Sequence, residues 1–164
     1  MRRGPPARAE AEIRPAALED LPALVAIENA AFATDRLDRR ALRHAINSPT
    51  ILARVAAAPD GAVVGYVLVQ IRRGSDLGWL TSVAVMPGSH GGGLGRRLVE
   101  AAEAAAGEAG RTRIRLEVRA DNAAARRLYE SAGYDRIAVV PDYYEDGGAA
   151  WRYEKTLGAR AAAR

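Results

Sequence analysis

The chain has 164 residues, a formal net charge of +4 and no cysteine, which fits one domain with a stable core and excludes disulfides, thiolate nucleophiles and cysteine-bound zinc. No apolar run approaches the roughly 18 residues of a membrane span, and the N-terminus lacks a signal peptide's apolar stretch, so we expect a cytoplasmic protein with no membrane partner. All basic residues except Lys155 are arginines spread along the whole chain, a compositional bias that argues against nucleic acid as the partner.

The first half of the chain predicts two helices and two paired strands. Residues 13–15 are typical of a short strand, and the helix that follows carries a stripe made of Leu21, Leu24, Val25, Glu28 and Phe32. A second helix is predicted over 38–47, where Ser48-Pro49 ends it. Residues 50–57 and 62–71 predict strands joined by a turn, and 62–71 is apolar on both faces. We therefore expect the strand at 62–71 to be central in its sheet.

The second half predicts a strand, a glycine loop, a helix and a second strand in direct succession. A strand at 78–86 leads into a glycine cluster at 88–95, and the next helix runs from Leu94 to about Gly110. Residues 112–119 alternate apolar and charged side chains, as in a strand with one buried face. Asp121 or Asn122 caps a further helix, which Gly133 ends. Strands at 134–140 and 149–157 flank the last loop.

No linker or repeat divides the chain between these elements. We expect a single domain over residues 12–157, with flexible tails at 1–11 and 158–164, where Ala, Arg, Gly and Pro dominate. Neither a heptad pattern nor an exposed apolar stripe indicates an oligomer, so a monomer and a homodimer both fit.

The segment from His90 to Gly95, HGGGLG, predicts an anion site, because unobstructed backbone N–H groups precede a helix. A flexible surface loop is the alternative. The segment lacks the small third residue of a dinucleotide-binding fingerprint and the Gly-Lys of a P-loop. The HGGG string matches the oxyanion segment of lipases, but the chain has no G-x-S-x-G elbow, which excludes a serine hydrolase.

This segment resembles the Gln/Arg-x-x-Gly-x-Gly/Ala signature of the GNAT acetyltransferase superfamily. Gly93 and Gly95 match the signature, while His90 replaces the usual Gln or Arg. Residues 116–134, LEVRADNAAARRLYESAGY, are similar to the segment that closes the acetyl-CoA site in RimI-like N-terminal acetylases. The DYYEDG segment at 142–147 also resembles that subgroup, whereas 32–43 departs from it.

The resemblance implies a mixed α/β fold: a mostly antiparallel sheet of about seven strands with four helices, splayed between strands 78–86 and 112–119. It implies acetyl transfer from acetyl-CoA to a primary amine, of a protein N-terminus or a lysine, by direct transfer in a ternary complex and without a metal. The implied cofactor-binding residues are Val83, Ala84, Val85, His90, Gly91, Gly92, Gly93, Leu94, Gly95, Arg96, Asn122 and Tyr129. Two alternatives stay open, an acetyl-CoA-binding sensor without catalysis and an acetyltransferase of small-molecule amines.

Tyr129 is the candidate general acid, because an uncharged phenol with a pKa near 10 suits protonation of the departing thiolate. It lies seven residues after Asn122, about two helical turns or ~10 Å along the helix. The alternative is that Tyr129 only packs beside Leu128.

Glu117 occupies the position that the resemblance marks as the catalytic base. The alternative is a structural ladder of ion pairs with Arg115 and Arg119, and water would then relay the proton. Glu28 is a second candidate base, because it interrupts an apolar stripe, although a surface carboxylate would fit equally well. With Phe32, Tyr143 and Tyr144, Glu28 is also expected to bind the acceptor, although the two tyrosines could simply anchor their loop.

Overall fold

The computed structural model of the chain describes residues 11–89 and 91–158. Seven strands are present, β1 Glu12–Pro15, β2 Ile51–Ala57, β3 Val63–Ile71, β4 Leu77–Val85, β5 Arg113–Arg119, β6 Asp135–Val140 and β7 Ala150–Thr156. The four α-helices are α1 Leu21–Ala31, α2 Arg39–Asn47, α3 Leu94–Glu108 and α4 Ala123–Ser131. Each predicted strand agrees with the observed one to within a residue, but a single 3-10 turn over Leu18–Asp20 was not predicted.

All seven strands form one sheet in the order β1-β2-β3-β4-β5-β7-β6. Every neighbouring pair is antiparallel except β4 and β5, which are parallel and joined through α3. This confirms the predicted mixed, mostly antiparallel sheet. It also places β3 and β4 near the centre, where apolar residues on both faces are expected.

The parallel pair is short, and this opens the sheet at its middle. β4 and β5 are paired over only three residues each, ending at Trp79 opposite Arg115. Beyond that point β4 continues along β3 to Val85, while β5 continues along β7 to Arg119. The predicted splay is therefore present and forms a V that opens toward the C-terminal ends of both strands.

A β-bulge in β4 lies where the two strands separate. Leu68 of β3 is opposite Ser82, but the next residue, Val69, is opposite Leu80, so Thr81 is an extra residue on β4. A bulge bends its strand and increases the local twist. The bulge thus accounts for the departure of β4 from β5, and the sequence pattern did not predict it.

Two apolar clusters cover the two faces of the sheet. α3 and α4 pack on one face through residues that include Leu98, Val99 and Tyr129. α1 and α2 pack on the other face through Leu24, Ile27 and other residues that surround the buried Tyr66. The helices are therefore fixed on both sides of the opening, and their ends border it.

The tails predicted at 1–11 and 158–164 lie mostly outside the described residues. Ala11 is described and is buried, and its carbonyl accepts a hydrogen bond from the Arg97 Nη2 at 2.7 Å. No helix within residues 11–89 and 91–158 combines the length and the apolar character that crossing a membrane requires.

Candidate active site

A cleft of about 470 Å³ occupies the V between β4 and β5. It extends from α4 to the end of α1 and the loop that follows α1. Seven of the predicted site residues line it together, Glu28, Phe32, Val83, Glu117, Asn122, Tyr129 and Tyr144. The predicted cofactor end and the predicted acceptor end therefore belong to one continuous space.

The backbone of β4 presents unpaired polar groups to this space. The Met86 N–H donates to the Val64 carbonyl at 2.8 Å, so the alternating antiparallel pattern directs the polar backbone groups of Ala84 toward β3. The N–H and C=O groups of Val83 and Val85 consequently point the other way, into the gap that β5 has left. An extended ligand with amide groups can pair with them there. Ala84 instead buries its side chain against α1 and α2.

The glycine segment forms an open backbone cradle before α3. Gly91, Gly92 and Gly93 have φ values of +96°, +67° and +75°, in the region that disfavours other residues. A Cβ built on Gly91 or Gly93 would meet no atom within 4 Å. The Arg97 N–H donates to the Gly93 carbonyl as a first helical bond, so the N–H groups of residues 94–96 have no partner within the helix. The cradle fits a phosphate group that approaches the backbone closely.

The side chains around this cradle point elsewhere. Leu94 is buried in the core, and Arg96 lies 3.8 Å from Glu100 as an ion pair. A Cβ on Gly95 would be 3.7 Å from the Leu128 side chain, in ordinary contact. Residues 94–96 therefore offer the ligand their backbone N–H groups. His90, also predicted to bind cofactor, lies outside the described residues.

Asn122 and Tyr129 bring α4 to the cleft. The Asn122 Oδ1 accepts a hydrogen bond from the Ala125 N–H at 3.1 Å, so of the two predicted caps Asn122 is the one observed. Tyr129 is only 7% exposed and packs edge-on against Tyr134, with ring centroids 5.7 Å apart. Burial, and secondarily Tyr144, raises the pKa of Tyr129 above its ordinary value. Its hydroxyl has no hydrogen-bond partner among the described residues, and it stays protonated at neutral pH.

Glu117 is held by donors from two other strands. Its side chain is 7% exposed, and its Oε1 accepts from the Trp79 Nε1 at 2.8 Å. Its Oε2 accepts from the Arg152 Nε at 2.7 Å. The Tyr143 hydroxyl lies 3.4 Å from Oε1. The carboxylate is thus fixed at the wall of the cleft with defined partners on both oxygens.

The alternative considered for Glu117, a ladder of ion pairs with Arg115 and Arg119, is wrong. Arg115 pairs with Glu154 at 2.6 Å, and Arg119 pairs with acidic residues of two loops. Arg152 pairs with Glu117 because it lies directly opposite on β7. Directly opposite residues are about 5 Å apart, closer than residues two positions along one strand.

Glu28 is a buried carboxylate, so the surface position considered as an alternative is wrong. It is 2% exposed, and its Oε2 accepts from the Leu37 N–H at 2.8 Å. The Tyr66 hydroxyl donates to its Oε1. No described residue forms an ion pair with Glu28, although it lines the cleft. The acceptor end therefore contains an anion without a protein cation.

Sequence reasoning missed the residues that hold these carboxylates. Trp79 and Arg152 belong to strands whose pairing with β5 cannot be read from spacing, and Tyr66 is one more large residue in an apolar strand. Arg152 precedes the buried Tyr153, so alternation could have assigned Arg152 to the polar face of β7. This was the one sequence signal that pointed to Arg152 as a partner of Glu117.

Two loops border the acceptor end of the cleft. Phe32 begins the loop after α1, and Tyr144 belongs to the loop between β6 and β7. Tyr143 and Tyr144 pack edge-on with ring centroids 4.9 Å apart. Partial burial raises the pKa of Tyr144 to about 12. Tyr144 lines the cleft, whereas Tyr143 reaches it only through its hydroxyl near Glu117.

Comparison with known proteins gives a consistent result. Residues 17–134 match the model of the acetyltransferase (GNAT) family. The N-terminal acetyltransferase A complex catalytic subunit ard1 of Schizosaccharomyces pombe is 34% identical over 150 residues, 88% of this chain and 84% of that protein. The crystal structure of the ribosomal-protein-S18-alanine N-acetyltransferase from Escherichia coli gives a TM-score of 0.81 at 28% identity, covering 90% and 94% of the chains. The acetyltransferase yncA of Salmonella typhimurium, solved with its cofactor acetyl-CoA, gives 0.76 at 25% identity over 90% and 94%.

Proposed function

The chain belongs to the acetyltransferase (GNAT) family and is an acetyl-CoA-dependent N-acetyltransferase, and on that premise we propose that its acceptor is the α-amino group of a protein N-terminus. The observation that carries this proposal is the buried Glu28 carboxylate, which faces the cleft without a protein cation. The hydrogen bonds from Leu37 and Tyr66 offset part of the cost of burying this carboxylate, and a positive group that approaches it would offset more. The ammonium group of an incoming acceptor is such a group.

Acetyl-CoA supplies an activated acetyl thioester when it is bound. We assign its amide-containing arm to the backbone groups of Val83 and Val85, and its phosphates to the N–H groups of residues 91–96. Asn122 borders the same space from the start of α4. Ala84 contributes by keeping its neighbours in register with β3, and the role of His90 stays a prediction.

We assign the general-acid role to Tyr129. Its hydroxyl faces the cleft, is protonated because burial raises its pKa, and makes no hydrogen bond with a described residue. It is therefore free to donate its proton to the departing thiolate. An acid placed in this way typically contributes about 10²–10⁴-fold to the rate.

Glu117 receives the proton of the amine, directly or through a bridging water. Both of its oxygens already accept hydrogen bonds, from Trp79 and Arg152, so an acceptor that loses its proton easily suits this site best. At pH 7 about one α-amine in ten is neutral, against fewer than about one lysine side chain in a thousand. This difference favours a protein N-terminus over a lysine.

Glu28 holds the incoming ammonium at the acceptor end, and Phe32, Tyr143 and Tyr144 border the entrance. The names of the relatives support the same acceptor class, since one belongs to an N-terminal acetyltransferase complex and another acts on the alanine of ribosomal protein S18.

The test uses three versions of one peptide, with a free N-terminus and no lysine, with a blocked N-terminus and one lysine, and with both groups blocked. Release of coenzyme A from acetyl-CoA is followed with a thiol reagent, and the product is located by mass spectrometry. We expect acetylation of the first peptide alone. Acetylation of the lysine peptide alone, or of polyamines but no peptide, would exclude the proposed acceptor.

A further inference from the structure

Arg119, at the end of β5, connects the two loops that border the acceptor end of the cleft. Its Nη2 pairs with the Asp35 Oδ2 at 3.1 Å, in the loop after α1. Its Nη1 pairs with the Asp146 carboxylate at 3.0 Å, in the loop between β6 and β7. The guanidinium also stacks on the Tyr144 ring, with its Cζ 4.3 Å from the centroid. One side chain therefore bridges two segments that no backbone pairing joins.

Each loop joined by Arg119 has one residue whose backbone position suits the bridge. Asp35 has a φ of +54°, in the left-handed region that only Gly, Asn and Asp adopt readily. A Cβ on Gly148 would lie 2.6 Å from the Arg119 Nη1, so a larger residue there would displace the end of the Arg119 side chain. A non-glycine residue with a left-handed φ, such as Asp35, persists only where surrounding contacts hold it. The Arg119 ion pair is such a contact for Asp35.

The bridge lies at the cleft itself. Asp35, Arg119 and Tyr144 all line the cleft, beside the small residues Ala33 and Thr34. Because the guanidinium is within hydrogen-bonding distance of both loops, no side chain can pass between them while the bridge is closed. An acceptor therefore has to enter on one side of the Arg119 bridge, next to the small side chains of Ala33 and Thr34.

We propose that Arg119 is a specificity-determining residue: by closing the gap between Asp35 and Asp146, it narrows the entrance beside the bridge and so limits the bulk of the first acceptor residue. This inference rests on the proposed peptide acceptor. Arg119 acts through the loops and not on the reacting atoms, so its removal changes which acceptors enter more than it changes the chemical step. The planar guanidinium of Arg119 can hydrogen-bond to both loops at once, and the single ammonium of a lysine cannot replace it.

Exposure gives the bridge a second property. The side chains of Arg119 and Asp35 are 25% and 27% exposed, so dissolved salt partly screens their attraction. We therefore expect the discrimination between acceptors to weaken as the salt concentration rises. A rigid wall of packed apolar side chains would show no such dependence.

The test compares two peptides that differ only in the first residue, alanine or phenylalanine, with wild type, Arg119→Gln and Asp35→Asn. Asparagine tolerates the left-handed conformation, so Asp35→Asn removes the charge without adding backbone strain. The control is Arg113→Gln, because Arg113 also lies on β5 and pairs with two carboxylates, at Asp76 and Glu154, at the opposite end of the strand.

We expect the ratio of kcat/KM for alanine over phenylalanine to fall about tenfold in both test variants, the lower end of the range by which a steric pocket discriminates. In Arg119→Gln and Asp35→Asn, kcat on the alanine peptide should stay unchanged. In the control Arg113→Gln, the ratio should stay at the wild-type value. A wild-type ratio in Arg119→Gln, or a ratio insensitive to salt in wild type, would overturn the inference. Failure of wild type to acetylate either peptide would instead overturn the proposed acceptor.

Discussion

Replacing Tyr129 by phenylalanine removes only the hydroxyl group. The variant therefore tests the role of this hydroxyl in catalysis with little change in the stability of the fold. The hydroxyl makes no hydrogen bond with a described residue, so its loss should lower the free energy of unfolding by less than about 0.5 kcal/mol. The rate of acetyl transfer should fall at least about tenfold and up to about 10⁴-fold, because the departing thiolate loses its proton donor. A tenfold loss corresponds to about 1.4 kcal/mol of transition-state stabilisation.

The assay measures initial rates of coenzyme A release at saturating acetyl-CoA and peptide, with calorimetric titration of acetyl-CoA alongside. Binding of acetyl-CoA should change little, because Tyr129 lies at the reacting end of the cleft, away from the glycine cradle. The alkaline limb of kcat in wild type should lie above pH 10, because burial raises the pKa of Tyr129. Only above that pH does the hydroxyl lose the proton that it donates.

Tyr153→Phe is the matched control. Tyr153 is fully buried in the core on β7, and its hydroxyl donates to Glu130 at 2.6 Å, but it does not line the cleft. This variant should lose about 1 kcal/mol of stability and keep its turnover. If Tyr129→Phe turned over acetyl-CoA as fast as wild type, the assignment of Tyr129 as the acid would be wrong.

Three further variants test other parts of the molecule. Gly93→Ala should cost only about 1 kcal/mol of stability at its positive φ, yet weaken acetyl-CoA binding at least about tenfold by calorimetry, because the methyl occupies the cradle. Glu117→Gln should lower turnover at least about tenfold while Arg152 keeps an acceptor and the fold survives. Asp20→Asn should lose about 1 kcal/mol at pH 7 in urea unfolding. Arg14 lowers the pKa of Asp20, so this stability is fully present above the unfolded pKa of about 4 and is lost as the pH falls through the lower folded pKa. The difference from wild type should therefore shrink as the pH is lowered toward 3. An equal loss at pH 3 would contradict that reasoning.

The sequence predicted the elements well because their signals are local. Alternation identifies β5, and Gly93 and Asn122 mark the starts of α3 and α4 within a few residues of chain. The order of the strands required the family resemblance, because nothing local in β7 indicates that it pairs between β5 and β6.

The alternatives considered for the two carboxylates, a surface position for Glu28 and a ladder for Glu117, failed because the answer depends on residues from other elements. Glu28 was compatible with a surface position until the loop after α1 brought the Leu37 N–H to it. The alternative for Glu117 was a pairing along its own strand, but the cross-strand register brought Arg152 closer. Tyr66 and Arg152 are separated from the carboxylates that they contact by 35 residues or more, so local sequence spacing cannot reveal these pairs.

The bulge at Thr81 changes which side chains of β4 share a face of the sheet. Trp79 and Ser82 are three residues apart, yet both face the side of α1 and α2, because they lie opposite Gln70 and Leu68, which share that face. Deleting Thr81 would place Trp79 and Ser82 two residues apart, so both would keep this face in a regular strand while the bend of β4 would be lost. The extra residue thus lets β4 bend away from β5 while the indole of Trp79 still reaches Glu117.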